Sequence, residues 1–243
     1  MSTASLTRHS TDAPTLGSEW GLHVPAGPPP SNGWPALLFL HGMGECGDEL
    51  DRVLDLGLPP ALARHPERWP FVVVVPQKRD KLVEWTGCAE ALDGLLARAA
   101  NEQPLDPERL SLTGLSQGGH GCWTIASRQP ERWAAIAPIC GFAQVPLTGW
   151  RDMESVEAWE REDDGESVAR LSERLRDVPC WAFHGAADDL VPAVLSARLV
   201  AEHRRLGGRN GLTVYPGLGH DSWTQAYSEP ELAEWLLAAR RGD

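Results

Sequence analysis

The stretch Leu112-Thr-Gly-Leu-Ser-Gln-Gly-Gly119 decides how the rest of the chain is read. It holds a Gly-x-Ser-x-Gly pattern, and its flanks give that pattern a place. Before it, Arg109-Leu-Ser-Leu-Thr113 alternates as a strand does. After it, His120 to Gln129 suits one helix, stopped by Pro130. A strand turned sharply into a helix lifts the corner residue, Ser116, onto an exposed and strained position. Gly114 and Gly118 flank the serine where side chains would collide, and Gly119 lets the helix pack close to the sheet.

Outward from this turn, strand-like and helix-like segments alternate. The expected strands are 36–40, 71–75, 110–115, 134–139, 180–183 and 212–215, several of them near-continuous apolar runs. Such runs suit strands of a parallel sheet that is covered on both faces. Amphipathic stretches lie near 48–64, 89–101, 118–129, 167–177, 193–206 and 229–240. The progression predicts an α/β fold, a mostly parallel, doubly wound sheet with helices on both faces. No repeat and no Gly/Ser linker divides the chain. Residues 1–15 read as a flexible tail and 16–243 as a single domain. Within it, 144–165 forms a long acidic excursion with Trp150 and Trp159, read either as a solvated insertion or as a small lid whose tryptophans wall a pocket.

The composition of the 243 residues narrows the function classes. A net charge of −12 without a basic stripe argues against nucleic acid. No apolar run reaches the roughly 18–20 residues needed to span a bilayer. The N-terminus has no apolar core of a secretory signal, and the five cysteines form no CxxC pair. Both features point to a cytoplasmic protein with reduced thiols.

A serine hydroxyl becomes a nucleophile only when a base takes its proton and a third group orients that base. On a doubly wound sheet these follow in the order serine, acid, histidine, each at the C-terminal end of a strand. After strand 180–183 comes His184-Gly-Ala-Ala-Asp-Asp-Leu-Val-Pro192, and after strand 212–215 comes Pro216-Gly-Leu-Gly-His220. Of eight histidines, His220 alone has the order and the context of the base. His9, His65 and His203 sit in polar surroundings and read as solvated. His41 and His184, each before a glycine at a strand end, read as structural. Asp188 and Asp189 both qualify as the acid, and order does not choose between them. Backbone N–H groups that stabilise the oxyanion, worth roughly 3–4 kcal/mol each, are expected at Gln117, directly after the nucleophile, and at Met43 in the loop His41-Gly-Met-Gly44.

With these residues in view, the chain from about Leu37 onward resembles the α/β-hydrolase superfamily. Within it, the chain is similar to the phospholipase/carboxylesterase and "predicted peptidase" esterases, relatives of the dienelactone hydrolases. The resemblance rests on Phe39-Leu-His-Gly-Met-Gly-Glu-Cys-Gly-Asp48, Val75-Pro-Gln77, Leu112–Gly119, Ala134-Ala-Ile-Ala-Pro-Ile-Cys-Gly141, Trp181-Ala-Phe-His-Gly-Ala-Ala-Asp188, Val191-Pro192 and Tyr215-Pro-Gly-Leu-Gly-His-Asp-Ser-Trp223. It implies Ser116 as nucleophile, His220 as base and, through the pattern His-Gly-x-x-Asp-x-x-Val-Pro, Asp188 as acid. Ser116 stands where dienelactone hydrolases proper carry cysteine, so their specific activity is not implied.

The expected activity is therefore hydrolysis of small-molecule carboxylic esters through an acyl-enzyme. A thioesterase or serine peptidase would use the same machinery and differ in the leaving-group pocket. A hydrolase-fold module that only binds would be expected to lose a triad member, and all three are present. Trp85, His120 and Trp223 are read as pocket residues beside Trp150 and Trp159. Neither metal-ligand spacing nor a nucleotide-binding glycine pattern is found, so no metal and no cofactor is expected. The sequence carries no signature of oligomeric state.

Overall fold

Strands β3 (Trp34–Leu40) and β4 (Val72–Lys78) show how the sheet is built. In β3, Leu38 and Leu40 belong to one buried cluster while Leu37 and Phe39 belong to another. In β4, Val72 and Val74 join the first cluster, and Val73 and Val75 the second. Side chains alternate across a strand, so both faces of the sheet carry a core. That is why these strands read as unbroken apolar runs.

The structure, a computed structural model, describes residues 4–144 and 165–242. Before β3 lie β1 (Ser5–Ser10) and β2 (Leu16–Val24). After β4 come β5 (Leu105–Leu115), β6 (Ala135–Ile139), β7 (Cys180–Gly185) and β8 (Asn210–Tyr215). The spatial order is β1-β2-β4-β3-β5-β6-β7-β8. The six strands from β4 to β8 in that order run parallel, while β1 and β2 are antiparallel additions at one edge. The six expected strands match these elements, two of them beginning one residue earlier than β4 and β6, and the doubly wound α/β-hydrolase arrangement stands. Residues 1–15 are a correction: in place of a flexible tail they contain β1, whose six residues all pair with β2.

Helices α1 (Asp51–Leu54), α2 (Leu58–Arg64), α7 (Trp223–Ser228) and α8 (Pro230–Ala238) cover one face of the sheet. Helices α3 (Ala89–Glu102), α4 (Gln117–Ala126), α5 (Glu166–Leu175) and α6 (Ala193–Arg205) cover the other. The single helix expected over 48–64 is broken at Gly57, which has φ 72°. A Cβ there would stand 2.7 Å from Leu115 and 2.8 Å from Phe39, so the chain passes too close to the core for a continued helix. Among the described residues no helix is long and apolar enough to cross a membrane.

The order of connections places the site. From β3 the chain passes through α1 and α2 to β4 on one side. It then returns through α3 on the other face to β5 on the opposite side of β3. Such a reversal opens a crevice beyond the carboxyl ends of the two strands, where ligands of open α/β sheets bind. The register pairs Leu40 with Gly114 and Leu115 with Ile139, so the loops after β3, β5 and β6 emerge at one level.

Candidate active site

Ser116 sits between β5 and α4 with φ 53°, a left-handed conformation rare outside glycine. Such a turn requires its neighbours to be nearly bare. A Cβ on Gly118 would fall 2.0 Å from the Leu40 carbonyl oxygen, and one on Gly119 2.4 Å from that of Ile139. The Ser116 amide donates to the Ile139 carbonyl at 2.9 Å and lies 3.2 Å from Cys140 Sγ. Cys140 is itself left-handed, with φ 43°, and fully buried.

Around this turn the fold gathers the other two residues. His220 follows β8, with Nε2 3.0 Å from Ser116 Oγ and Nδ1 2.8 Å from Asp188 Oδ2. Asp188 follows β7. Its Oδ1 accepts the amides of Leu190 and Val191 at 3.0 and 2.9 Å, and its Oδ2 also faces His184 Nε2 at 3.2 Å. Burial would raise this carboxyl, but the hydrogen bonds from His184, His220 and Val191 outweigh it and hold it well below the usual carboxylate range. An ionised Asp188 accepts the Nδ1 hydrogen of His220, which leaves Nε2 free to accept from the serine. Asp189, the competing acid, is exposed.

His184 and His41 have the structural places read for them. His184 is fully buried, with Nδ1 2.8 Å from Ser196 Oγ and Nε2 2.8 Å from the Val191 carbonyl. It braces Asp188 from behind. His41 accepts the Lys78 amide at Nε2 (2.9 Å), so Nδ1 carries the hydrogen that goes to the Gly42 carbonyl at 2.7 Å. Burial, with the nearby Lys78 charge, pushes its imidazole down to about 3 and keeps it neutral. His203 is a correction. It is fully buried on α6, with Nε2 2.9 Å from the Leu175 carbonyl, because the helix turns this position inward against Trp123.

The loop after β3 runs beside Ser116: a Cβ on Gly42 would stand 3.6 Å from Ser116 Cβ. Met43 follows it, its side chain packed with Phe142, Val191 and Leu195. Gln117 is the first residue of α4, where the helix leaves its first amides without intrahelical acceptors. Trp223 meets His220 edge to face at a centroid distance of 5.4 Å. Beyond it opens a cavity of about 240 Å³ lined by Leu56, Arg64, Asp221 and Thr224 among others.

Two expected pocket residues are placed differently. Trp85 is fully buried, its indole N–H donating to the His41 carbonyl at 3.1 Å, so it supports the loop from below. His120 is buried and stacked on Phe142, with Nδ1 bonded to the Phe142 carbonyl at 3.0 Å and Nε2 directed at Glu84. Trp150, Trp159 and the excursion that carries them lie outside the described residues, apart from its two ends.

Among the described residues, one trio could offer ligand atoms to a metal: Cys140, Asp188 and His220, within 4.8 Å of one another. Two of them are already bonded to each other, and burial pushes the Cys140 thiol far up, so the donor set suits proton transfer better than an ion. Sequence reasoning missed Lys78, which is fully buried and bonded to the Gln117 side chain. The signal was a lysine closing the apolar run of a central strand.

Residues 87–238 match the model of the prolyl oligopeptidase family, Peptidase_S9. An uncharacterized secreted protein of Arthroderma benhamiae is 27% identical over 216 residues, 76% of this chain and 21% of that protein. An S-formylglutathione hydrolase of Paracoccus denitrificans is 31% identical over 117 residues, 44% of this chain and 41% of the relative. The chain thus spans about a fifth and two fifths of these relatives. A solved structure described as a thermostable esterase superposes with a TM-score of 0.77 at 27% identity, covering 97% of this chain and 63% of that one.

Proposed function

The chain belongs to the prolyl oligopeptidase family, and from that premise we propose that it is a serine hydrolase cleaving small carboxylic esters. The observation that carries this reading is the unbroken line Ser116 Oγ–His220 Nε2–His220 Nδ1–Asp188 Oδ2, at 3.0 and 2.8 Å. His220 takes the proton of Ser116 as its oxygen attacks the ester carbonyl. The oxyanion is held by the amides of Gln117 and Met43, and His220 returns the proton to the leaving alcohol. Water, activated by the same imidazole, then releases the acid. Asp188 fixes the ring and stabilises its cation.

The ester reading is supported by the likeness to the thermostable esterase. A second reading, thioester cleavage, is favoured by the match to an S-formylglutathione hydrolase. A third, peptide-bond cleavage, is favoured by the family name itself. Ranking kcat/KM over matched esters, thioesters and amides separates the three. Ser116→Ala is expected to lower kcat on p-nitrophenyl acetate by about 10⁴-fold or more and to abolish labelling by a fluorophosphonate. Full activity in this variant overturns the proposal. A cytoplasmic location is part of the same reading, supported by five free cysteines.

A further inference from the structure

One short segment, from Lys78 at the end of β4 to Trp85, holds both halves of the oxyanion site. Its first residue makes two different contacts. The Lys78 amide donates to His41 Nε2, and His41 in turn fixes the Gly42 carbonyl in the loop beside Ser116. The Lys78 ammonium donates to the Val83 carbonyl and to Gln117 Oε1, each at 2.5 Å. Gln117 Nε2 donates to the Lys81 carbonyl at 2.9 Å, and Trp85 donates to the His41 carbonyl at 3.1 Å. The loop that carries Met43 and the helix start that carries the Gln117 amide are therefore tied to one anchor.

Among the described residues the anchor's charge has no direct counter-ion. Lys78 is fully buried, its Nζ lies 5.1 Å from the Trp85 ring centroid, and among the described residues no carboxylate stands within ion-pair reach of it. Burying an ammonium against carbonyl and amide oxygens alone is costly. Methionine would fill the same volume but leave the Val83 carbonyl and Gln117 Oε1 without this donor, so the ammonium both satisfies these oxygens and brings a charge. The ammonium is bonded to the side chain of Gln117, the residue that follows Ser116 and whose amide is the expected oxyanion donor.

We propose that Lys78 is a positioning residue of the reaction, one that locks Gln117 and the loop after β3 together and sets a fixed positive charge behind the forming oxyanion. The proposal rests on the esterase reading of Ser116. A fixed charge in a water-poor site stabilises the transition state more than the ground state, so it acts on kcat. It also adds a titration. Burial lowers the Lys78 ammonium below its ordinary value, against the raising influence of Cys46, Cys88, Asp80 and Glu84, and the facing imidazole of His41 is neutral. Activity should fall at alkaline pH as this proton leaves.

The experiment compares wild type and Lys78→Met on p-nitrophenyl acetate, with kcat and KM measured from pH 6 to 10.5. Lys78→Met keeps the volume and removes the desolvated charge while leaving two oxygens without their ammonium donor, so Tm measured alongside shows whether the variant folds. The expected result is a kcat about 10-fold to 100-fold lower, short of the roughly 100-fold to 1,000-fold that follows removal of a donor outright. KM should stay within about threefold, and the alkaline fall should vanish. A kcat within twofold of wild type, a loss expressed in KM, or an unchanged alkaline limb overturns the proposal. If Lys78→Met does not fold, Gln117→Glu carries the test by pairing the ammonium and cancelling its field. Lowered kcat at constant KM is then expected, and wild-type kcat overturns it. Ser116→Ala run alongside keeps the two readings apart: activity there sinks the esterase proposal itself, whatever Lys78→Met does.

Discussion

At the scale of single residues, the site depends as much on absent side chains as on reactive ones. Gly118 is the tightest case, since its missing Cβ leaves room for the backbone of β3 at Leu40. β3 is paired on both sides and cannot give way. Gly118→Ala is therefore expected to cost more than about 4 kcal/mol, in the range of the most disruptive substitutions. A denaturant titration would show the midpoint shift, and a small shift would mean that the elbow can relax. Asp188→Asn tests the opposite kind of residue. The acid accepts four hydrogen bonds, two from amides and two from imidazoles. An amide group there would present N–H to N–H and leave His220 in the wrong tautomer. A fall in kcat of about 10⁴-fold is expected, with KM little changed, as steady-state kinetics would show.

At the scale of elements, β1 and β2 lie at the edge away from the chemistry, three and two strands from β3 respectively. None of the β1 residues is fully buried, and beyond the ladder to β2 its ties are contacts of Arg8 with Glu19 and Asp51, of His9 with Trp20 and Glu102, and of Arg98 with the Ser10 carbonyl. Deleting residues 1–11 should cost only roughly 1–2 kcal/mol, or about 2–8 °C in Tm. Activity should be retained, while the bared edge of β2 should raise light scattering with protein concentration. Lost activity at constant Tm would show that the edge reaches the site. The same contrast explains what the sequence made legible. Strands buried on both faces write themselves as apolar runs, and Ser116 and Asp188 each follow such a run, whereas His220 follows the half-buried β8. β1 is half-exposed, and β2 is interrupted by Gly17 and Gly21, so neither shows a clean alternation. The break at Gly57 and the burial of Lys78 depend on neighbours from distant segments, Leu115 and Phe39 in one case and Gln117 in the other. No local pattern announces them.

At the scale of the whole molecule, we propose that the described residues unfold as one unit whose stability is set by buried histidines on the acid side. His23 is lowered by burial to about 4 and His41 to about 3, and His203 is lowered in the same sense. A histidine with a depressed folded pKa binds its proton mainly in the unfolded chain. Its contribution is present above the unfolded value near 6.5 and is lost as pH falls toward the folded one. Each contributes a slope of up to roughly 1.4 kcal/mol per pH unit in that window. Asp188 adds a loss of the same sign at lower pH, below the ordinary carboxylate value. Glu45 opposes both. Burial raises its carboxyl, so its contribution is full below the unfolded value and is lost as pH rises through the folded one. Three histidines against one carboxyl leave a net fall, and Tm should drop between pH 7 and pH 5 in a single calorimetric transition. His23 isolates the cause, because its Nε2 is buried without a hydrogen-bond partner and it lies on β2, away from the site. His23→Leu should flatten the acid slope by about 1.4 kcal/mol per pH unit and raise Tm at pH 5, with kcat unchanged. A slope as steep as wild type would assign the acid sensitivity to other groups, and two resolved transitions would divide the molecule into separate folding units.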